Sequence, residues 1–532
     1  MMAQAVVTPA AAPSPARSPI KPEQWWILVT VVFGVFVSLL DATIVNTAIP
    51  KIQAVFGVSI HEAQYISTAY TLAQAVAVGA SSFLAARYGS KRVFLTSLAL
   101  FTAGSALCGL ASNDFFLILF RILQGAGGAA LFPIGIALVF SSFTNDQRGL
   151  VNGLFGIPVL FAPAIGPTVG GYIVQYFDWR WIFYVNVPLG ILGVLVGARY
   201  LPAVAGRAGM RFSVRTFLPL AAGLGLMLYG LTNISTDGWG SLLTVSGPAA
   251  LGALLLALYV VLSLVTPEPV LDLQVFRNRN FLVGNIIISL ATVGLFGAQF
   301  LLPQYLQNLR GLDAFHSGLE LLPVGLAAMV STIFAGVFYN SAGPIVLMVF
   351  GAALLVGDTY LLANWVGSPT AAYAALPLLL ILRGLSIPPL AQTANTMALQ
   401  DIRGIALNSA STLVVVTRLV VASLALAVFT NILTAQQAAH RANLVVQVTP
   451  DSPTARTIAT LSAHFQAGGM PAGQAATMAF AQVYRQILIL ASSLAFRDVF
   501  YISALLAVPA IVLPMLYIGR SRPAPDASAH SE

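Results

Sequence analysis

The sequence predicts an all-α polytopic membrane protein, and three observations lead there. Of 532 residues, 58% are hydrophobic and only 8% are charged. Soluble domains carry roughly 25% charged residues, so the chain could not clothe the two or three water-soluble domains its length would otherwise imply. A mean hydropathy of +0.87 agrees. Apolar runs of the ~20 residues that a bilayer core demands recur along most of the chain. Lys and Arg, finally, gather in the short segments between those runs.

Taken in order, the apolar runs give fourteen expected helices, at 25–48, 61–86, 93–112, 115–140, 150–174, 181–201, 216–234, 242–265, 281–303, 317–338, 344–366, 372–400, 405–434 and 499–518. Residues 1–24, rich in Ala, Pro and Ser, read as a disordered cytoplasmic tail. The run starting at Trp25 is too long for a signal peptide and lacks a small-residue cleavage pattern, so it is expected to stay as the first span. With the N-terminus inside, the cytoplasmic loops hold Arg87, Lys91 and Arg92, then Arg148, then Arg207, Arg211 and Arg215, then Arg277 and Arg279, then Arg403; the tail adds Arg520 and Arg522. The short outer loops hold only Lys51, Arg180 and Arg310. This bias supports an even number of spans with both termini cytoplasmic. It also explains the net charge of +8 without nucleic acid, for which no aromatic-interleaved basic face is present.

Three arginines lie within apolar runs, Arg121, Arg383 and Arg418. Such residues are costly in hydrocarbon and should face the protein interior or a water-filled cavity. The string Leu117 to Arg121 is echoed by Leu379 to Arg383, and each is followed by a loop reading Asp-x-Arg-Gly, Asp146–Gly149 and Asp401–Gly404. Echoes in matching order favour two related halves with a site between them. The expected organisation is therefore a six-helix half at 25–201, two inserted helices within 202–265, and a second six-helix half at 266–518, followed by a cytoplasmic tail at 519–532. A polar Ala- and Gln-rich stretch at 435–498 is expected outside the membrane, either as a surface helical hairpin without special task or as a functional element.

The first span carries Asp41 and Asn46 at membrane depth, in Leu40-Asp41-Ala42-Thr43-Ile44-Val45-Asn46. Desolvation raises the proton affinity of a buried carboxylate and a neighbouring cation lowers it, which suits such a group to alternate between protonated and ionised forms. Structural ion pairing is the rival reading. Arg121 stands at the head of a small-residue face, Gly125-Ala126-Gly127-Gly128-Ala129, that permits close helix approach. The fifth span is loaded with Gly and Pro, from Gly156 and Pro158 to Gly166, Pro167, Gly170 and Gly171, and should be bent and closely packed.

These motifs, with Trp179-Arg180-Trp181-Ile182-Phe183-Tyr184-Val185-Asn186-Val187-Pro188-Leu189-Gly190, resemble the signatures of the fourteen-span drug:proton antiporter branch of the major facilitator superfamily. Leu302 to Gln307, Gly318 to Pro323 and Arg418 extend the likeness over nearly the whole chain. His440-Arg441 and Arg497-Asp498-Val499-Phe500 make the outer segment similar to EmrB-like exporters of Gram-negative bacteria. The resemblance implies the major facilitator fold, with two six-helix halves plus two inserted helices. It implies proton-coupled efflux of drugs or other amphiphilic molecules across a bacterial inner membrane, with Asp41 and Arg121 in proton coupling. It further implies a periplasmic adaptor of the membrane fusion type and an outer-membrane channel as partners. Arg87, Gly89 and Lys91 keep the superfamily's positive loop after the second span, but Ala86 stands where the family has an acid, which puts its charge latch in doubt.

In the second half, Asp358 is open to three readings: a cavity group, a partner of Arg383, or a side chain reaching a lipid headgroup. Glu320 reads chiefly as an interfacial, solvated acid. Asn46, Asp358, Arg383 and Arg418 are the candidate cavity residues. No phosphate loop, nucleophile–base pair or metal-ligand spacing is present, so no cofactor and no enzyme is expected. The alternatives are an exporter dedicated to one metabolite, lipid or anionic compound, and a non-transporting membrane sensor or scaffold.

Overall fold

The computed structural model describes residues 20–516 except 59, 204–205, 208, 369–372 and 450. Most of the expected tail 1–24 and all of 519–532, with Arg520 and Arg522, lie outside the described residues. In chain order the helices are α1 Pro22–Phe56, α2 Ile60–Tyr88, α3 Ser90–Leu110, α4 Asp114–Gly128, α5 Leu131–Ser142, α6 Asn145–Tyr176, α7 Trp181–Tyr184, α8 Asn186–Tyr200, α9 Val214–Thr232 and α10 Ile234–Asp237. They continue as α11 Gly247–Val265, α12 Arg279–Asn308, α13 Ala314–Ala342, α14 Pro344–Gly367, α15 Leu376–Ile387, α16 Thr393–Leu399, α17 Ile405–Val446, α18 Pro453–Ala467, α19 Ala472–Ala507 and α20 Pro509–Leu516.

Among the described residues each of the fourteen expected runs falls on helix, but the count of spans comes out lower. Among the described residues twelve helical segments are long and apolar enough to cross a bilayer, or thirteen when α6 is taken as one span across its 41° bend. The remaining run falls in α12, whose apolar stretch Arg279–Leu295 is short. The α6 bend has its cause in the sequence. Pro158, Pro163 and Pro167 sit inside the helix, and each removes a backbone donor and crowds the preceding turn. The Pro388-Pro389 pair likewise turns the junction of α15 and α16 into a π-helical segment, Pro388–Gln392.

The segment 435–498, expected as a polar stretch able to form a helical hairpin, is largely helical: α17 runs unbroken to Val446, α18 follows, and α19 begins at Ala472. At 1.5 Å per residue α17 is about 63 Å long, roughly twice a ~30 Å hydrocarbon core. The two spans therefore prolong themselves beyond the membrane. Ala475, Ala479 and Val483, four residues apart, are buried on the face of α19 next to α18. His440 of α17 meets Asp498 of α19 at 2.7 Å, tying the prolongations together at their base.

Helices α1 to α8 pack on one another, as do α12 to α17 with α19 and α20. Helices α9 and α11 form a pair laid against α2, and α9 also touches α17. Helix α6 lies along α13 and makes the most extensive contact between the two bundles. Close approach depends on small residues. Gly125 sits directly on the Tyr70 carbonyl oxygen and Gly127 on the Phe101 amide, so a Cβ at either would overlap backbone that cannot swing aside. Gly125→Ala should accordingly cost about 1–3 kcal/mol, the usual range for overpacking, seen as a lower unfolding temperature of the detergent-purified protein.

Candidate functional site

Helix α4 is N-capped by Asn113, whose side chain accepts from the Phe116 amide. Its glycines draw it against α2 and α3. That approach delivers Arg121 into the middle of the first bundle, where it is 1% exposed, facing Asp41 of α1, which is 0% exposed. Arg121 Nη1 donates to Asp41 Oδ2 at 2.5 Å. Asp41 Oδ1 accepts from Gln124 Nε2 and from Asn186 Nδ2, both at 2.8 Å. Gln124 Oε1 in turn accepts from Arg121 Nη1 at 2.8 Å. One carboxylate thus holds donors from α4 and α8.

The guanidinium is held on every side. Its Nε donates to the Ile66 carbonyl of α2 at 3.2 Å, and its centre lies 4.0 Å from the Tyr70 ring centroid, a cation–π stack. Tyr70 donates to the Ser38 carbonyl. Asn186 Nδ2 also reaches Ser105 Oγ at 3.1 Å, while Asn186 Oδ1 is buried without a partner. Either charge buried alone would be severely destabilising; together, with their lone pairs and protons satisfied, they are tolerable. The expected pair of Asp41 and Arg121 is therefore brought together. Gln124, Ser105 and Tyr70 had no place in the sequence reading. Asn186 had one only as part of a packing motif.

The remaining expected residues divide. Asn46 is exposed and bonds Ser67 at 2.8 Å, apart from Asp41. Trp179 is buried against Phe56 and Phe183, with the Arg180 guanidinium 4.5 Å from its ring. Pro188 is exposed in the first turn of α8, where a missing N–H costs nothing. Gly166 and Gly170 seat α6 on Thr43 and Thr47 of α1, inside the first bundle. Pro167 and Gly171 instead meet Gly318 and Phe315 of α13, across the bundles. Glu320 is partly exposed near the start of α13.

In the second bundle Asp358 and Arg383 are buried and paired at 3.1 Å. Arg383 also donates to the carbonyls of Gly294 and Leu295 on α12. Of the three readings of Asp358, pairing is the one the geometry selects. The echo of Arg121 in Arg383 is thus real in space, but the acid comes from α14 where the first bundle takes it from α1. Arg418 is partly buried, 4.5 Å over the Phe132 ring of α5.

At Ala86, where the acid is missing, backbone contacts hold the end of α2. The chain linking α8 to α9 folds over the end of α2, where the Arg207 amide donates to the Ala86 carbonyl at 2.8 Å and Arg87 Nη1 donates to the Met210 carbonyl. Phe212 stacks edge-on against Phe83, centroids 5.0 Å apart, and Lys91 donates to the Ala198 carbonyl. Gly89 turns the α2–α3 corner at φ 88°, a left-handed conformation that favours glycine.

Polar bonds between the bundles cluster at the ends nearest the start of α1. Ser81 meets Thr412 at 3.2 Å and Ser82 meets Ser409 at 2.9 Å, joining α2 to α17. Asn152 of α6 bonds the Gln392 carbonyl and Thr396, and Arg148 bonds the Gln400 carbonyl. Toward the opposite end Asn46 of α1 and Thr71 of α2 are exposed. Among the described residues no cluster of three or more His, Cys, Asp or Glu could hold a metal ion. Asn186→Ala should destabilise by about 1–3 kcal/mol, the cost of withdrawing one donor from a buried acceptor, and thermal unfolding should show this as smaller than the loss of Arg121.

A family model described as Major Facilitator Superfamily matches residues 31–426. The Multidrug resistance protein B homolog of Mycobacterium tuberculosis is 31% identical over 74% of this chain and 74% of its own length. The Multidrug export protein EmrB of Escherichia coli is 29% identical over 88% of this chain and 90% of its own. An uncharacterised MFS-type transporter, YhcA of Bacillus subtilis, is 32% identical, and the match spans 63% of its length. Among solved structures, the proton:xylose symporter XylE is similar at a TM-score of 0.58 and 12% identity, covering 93% of this chain and 96% of that one.

Proposed function

This chain belongs to the Major Facilitator Superfamily, and from that premise we propose that it exports drugs or other amphiphilic small molecules in exchange for protons. The single observation that carries the coupling is the fully buried Asp41, held by Arg121, Gln124 and Asn186. Ionised, it locks α1 to α4 and α8. Protonated, it no longer attracts Arg121 as an anion and becomes a donor itself. A turn of the Asn186 amide then offers the buried, unpartnered Oδ1 as its acceptor. The lock loosens, and because α1 also packs along α6, which lies against α13, the change passes to the contact between bundles.

Alternating access then consists of the two bundles rocking about the Gly- and Pro-rich α6. Bonds between bundles at the inner ends, with exposed Asn46 and Thr71 beyond them, fit an outward-facing arrangement in which Asp41 takes its proton from outside. The two long helices α17 and α19 offer a surface for a periplasmic adaptor that passes cargo to an outer-membrane channel. A bacterial inner membrane with both termini in the cytoplasm completes the reading.

The test is efflux by proteoliposomes under an imposed pH gradient. Export of at least one amphiphilic compound should require the gradient and collapse with a protonophore. Gradient-independent flux, or none across a panel of cationic, neutral and anionic compounds, would contradict the reading.

A further inference from the structure

Three arginines enter the membrane-embedded interior, and two of them are spoken for. Arg121 is bound to Asp41 and Arg383 to Asp358. Arg418 makes no hydrogen bond or ion pair among the described residues, and its guanidinium lies over the face of Phe132 of the other bundle. The buried acids are matched one to one by the first two arginines, which leaves one cation over.

Its position matters as much as its charge. Every residue of α17 from Leu407 to Val416 is buried, and from Thr417 to Val421 the helix becomes partly exposed. Arg418 therefore stands where α17 clears the plug formed by Ser81–Thr412 and Ser82–Ser409. It lies six residues, about 9 Å of helix rise, beyond Thr412. Phe132 of α5, in the other bundle, faces it there.

An unpaired guanidinium in such a place is costly once water leaves, unless a counter-charge arrives with the ligand. A guanidinium presents a planar fork of donors matched to carboxylate, sulfonate or phosphate oxygens. Phe132, itself 5.5 Å from Phe155, supplies an aromatic surface beside it.

We infer that Arg418 and Phe132 form the recognition site for an organic anion with an apolar or aromatic body, such as the ionised form of a weak acid. This deepens the export reading and names the charge of its cargo. Export of an anion against proton entry moves positive charge inward on both counts, so an inside-negative potential drives the exchange together with the pH gradient.

The test is equilibrium binding to the full-length protein in nanodiscs. The probes are anionic 8-anilinonaphthalene-1-sulfonate and neutral N-phenyl-1-naphthylamine, with empty nanodiscs as the blank. Wild-type protein should hold the anion more tightly than its neutral analogue. Arg418→Gln should weaken the anion about ten- to a hundredfold, the range one charge-assisted hydrogen bond supports, and leave the neutral probe unchanged; Arg418→Lys should fall between. Equal affinities for the two probes in wild type, or equal losses for both in a folded variant, would overturn the proposal. Binding needs no proton gradient, so the gradient-driven flux assay can fail or succeed independently of it.

Discussion

Asp41→Asn is expected to reduce gradient-driven efflux to the level of empty liposomes while the protein still folds and still exchanges substrate between the two sides. Asn has the shape of the protonated acid and cannot release a proton. Gln124 and Asn186 stay in place to bond it, and Arg121 keeps the Ile66 carbonyl, Gln124 Oε1 and the Tyr70 ring. The variant thus mimics one state of the cycle and is barred from the other. Substrate counterflow under equal pH separates this from misfolding, because counterflow needs binding and rocking but no proton release. Full gradient-driven efflux by the variant would remove Asp41 from the mechanism.

The largest effect on stability falls on the partner. Arg121→Met leaves the Asp41 carboxylate at 0% exposure without a cation, and removing one member of a buried pair costs about 3–5 kcal/mol. Thermal unfolding in detergent should show a severe loss. Adding Asp41→Asn to Arg121→Met should restore much of it, since a site emptied of both charges no longer buries one uncompensated. Restored stability with no proton-driven transport would mark the pair as kept for function. If the double variant were as unstable as Arg121→Met, packing around Tyr70 and Ile66 would be the reason for Arg121's presence.

Most of the architecture was legible because the bilayer allows few solutions. Long apolar runs must be helices, and Pro158, Pro163 and Pro167 announced the bend of α6. Asp41 and Arg121 were legible because a charge in an apolar run needs a partner. The amides were not. Gln124 and Asn186 carry no charge and no periodic signal, and nothing in their neighbourhoods in sequence reveals that both point at Asp41 from different helices. A hint existed in Gln124, one turn beyond Arg121 on the same face.

The outer helices were expected at 435–498, but not their continuity with the spans. Hydropathy marks where a helix leaves lipid, and α17 goes on as a helix through polar sequence to Val446. The spacing of Ala475, Ala479 and Val483 held the clue to α19. Ala86 raised a doubt about the latch that only the fold could answer, since the linker bearing Arg207 and Met210 is remote in sequence from α2.

The most direct measurement is proton release on substrate binding, followed with a pH-sensitive dye in weakly buffered solution around detergent-purified protein. A proton and a substrate that bind exclusive states of one carrier must displace each other. Wild-type protein should release protons in proportion to substrate bound, and Asp41→Asn should bind the same compound with no release. Equal release from the two proteins would place the exchangeable proton somewhere other than Asp41.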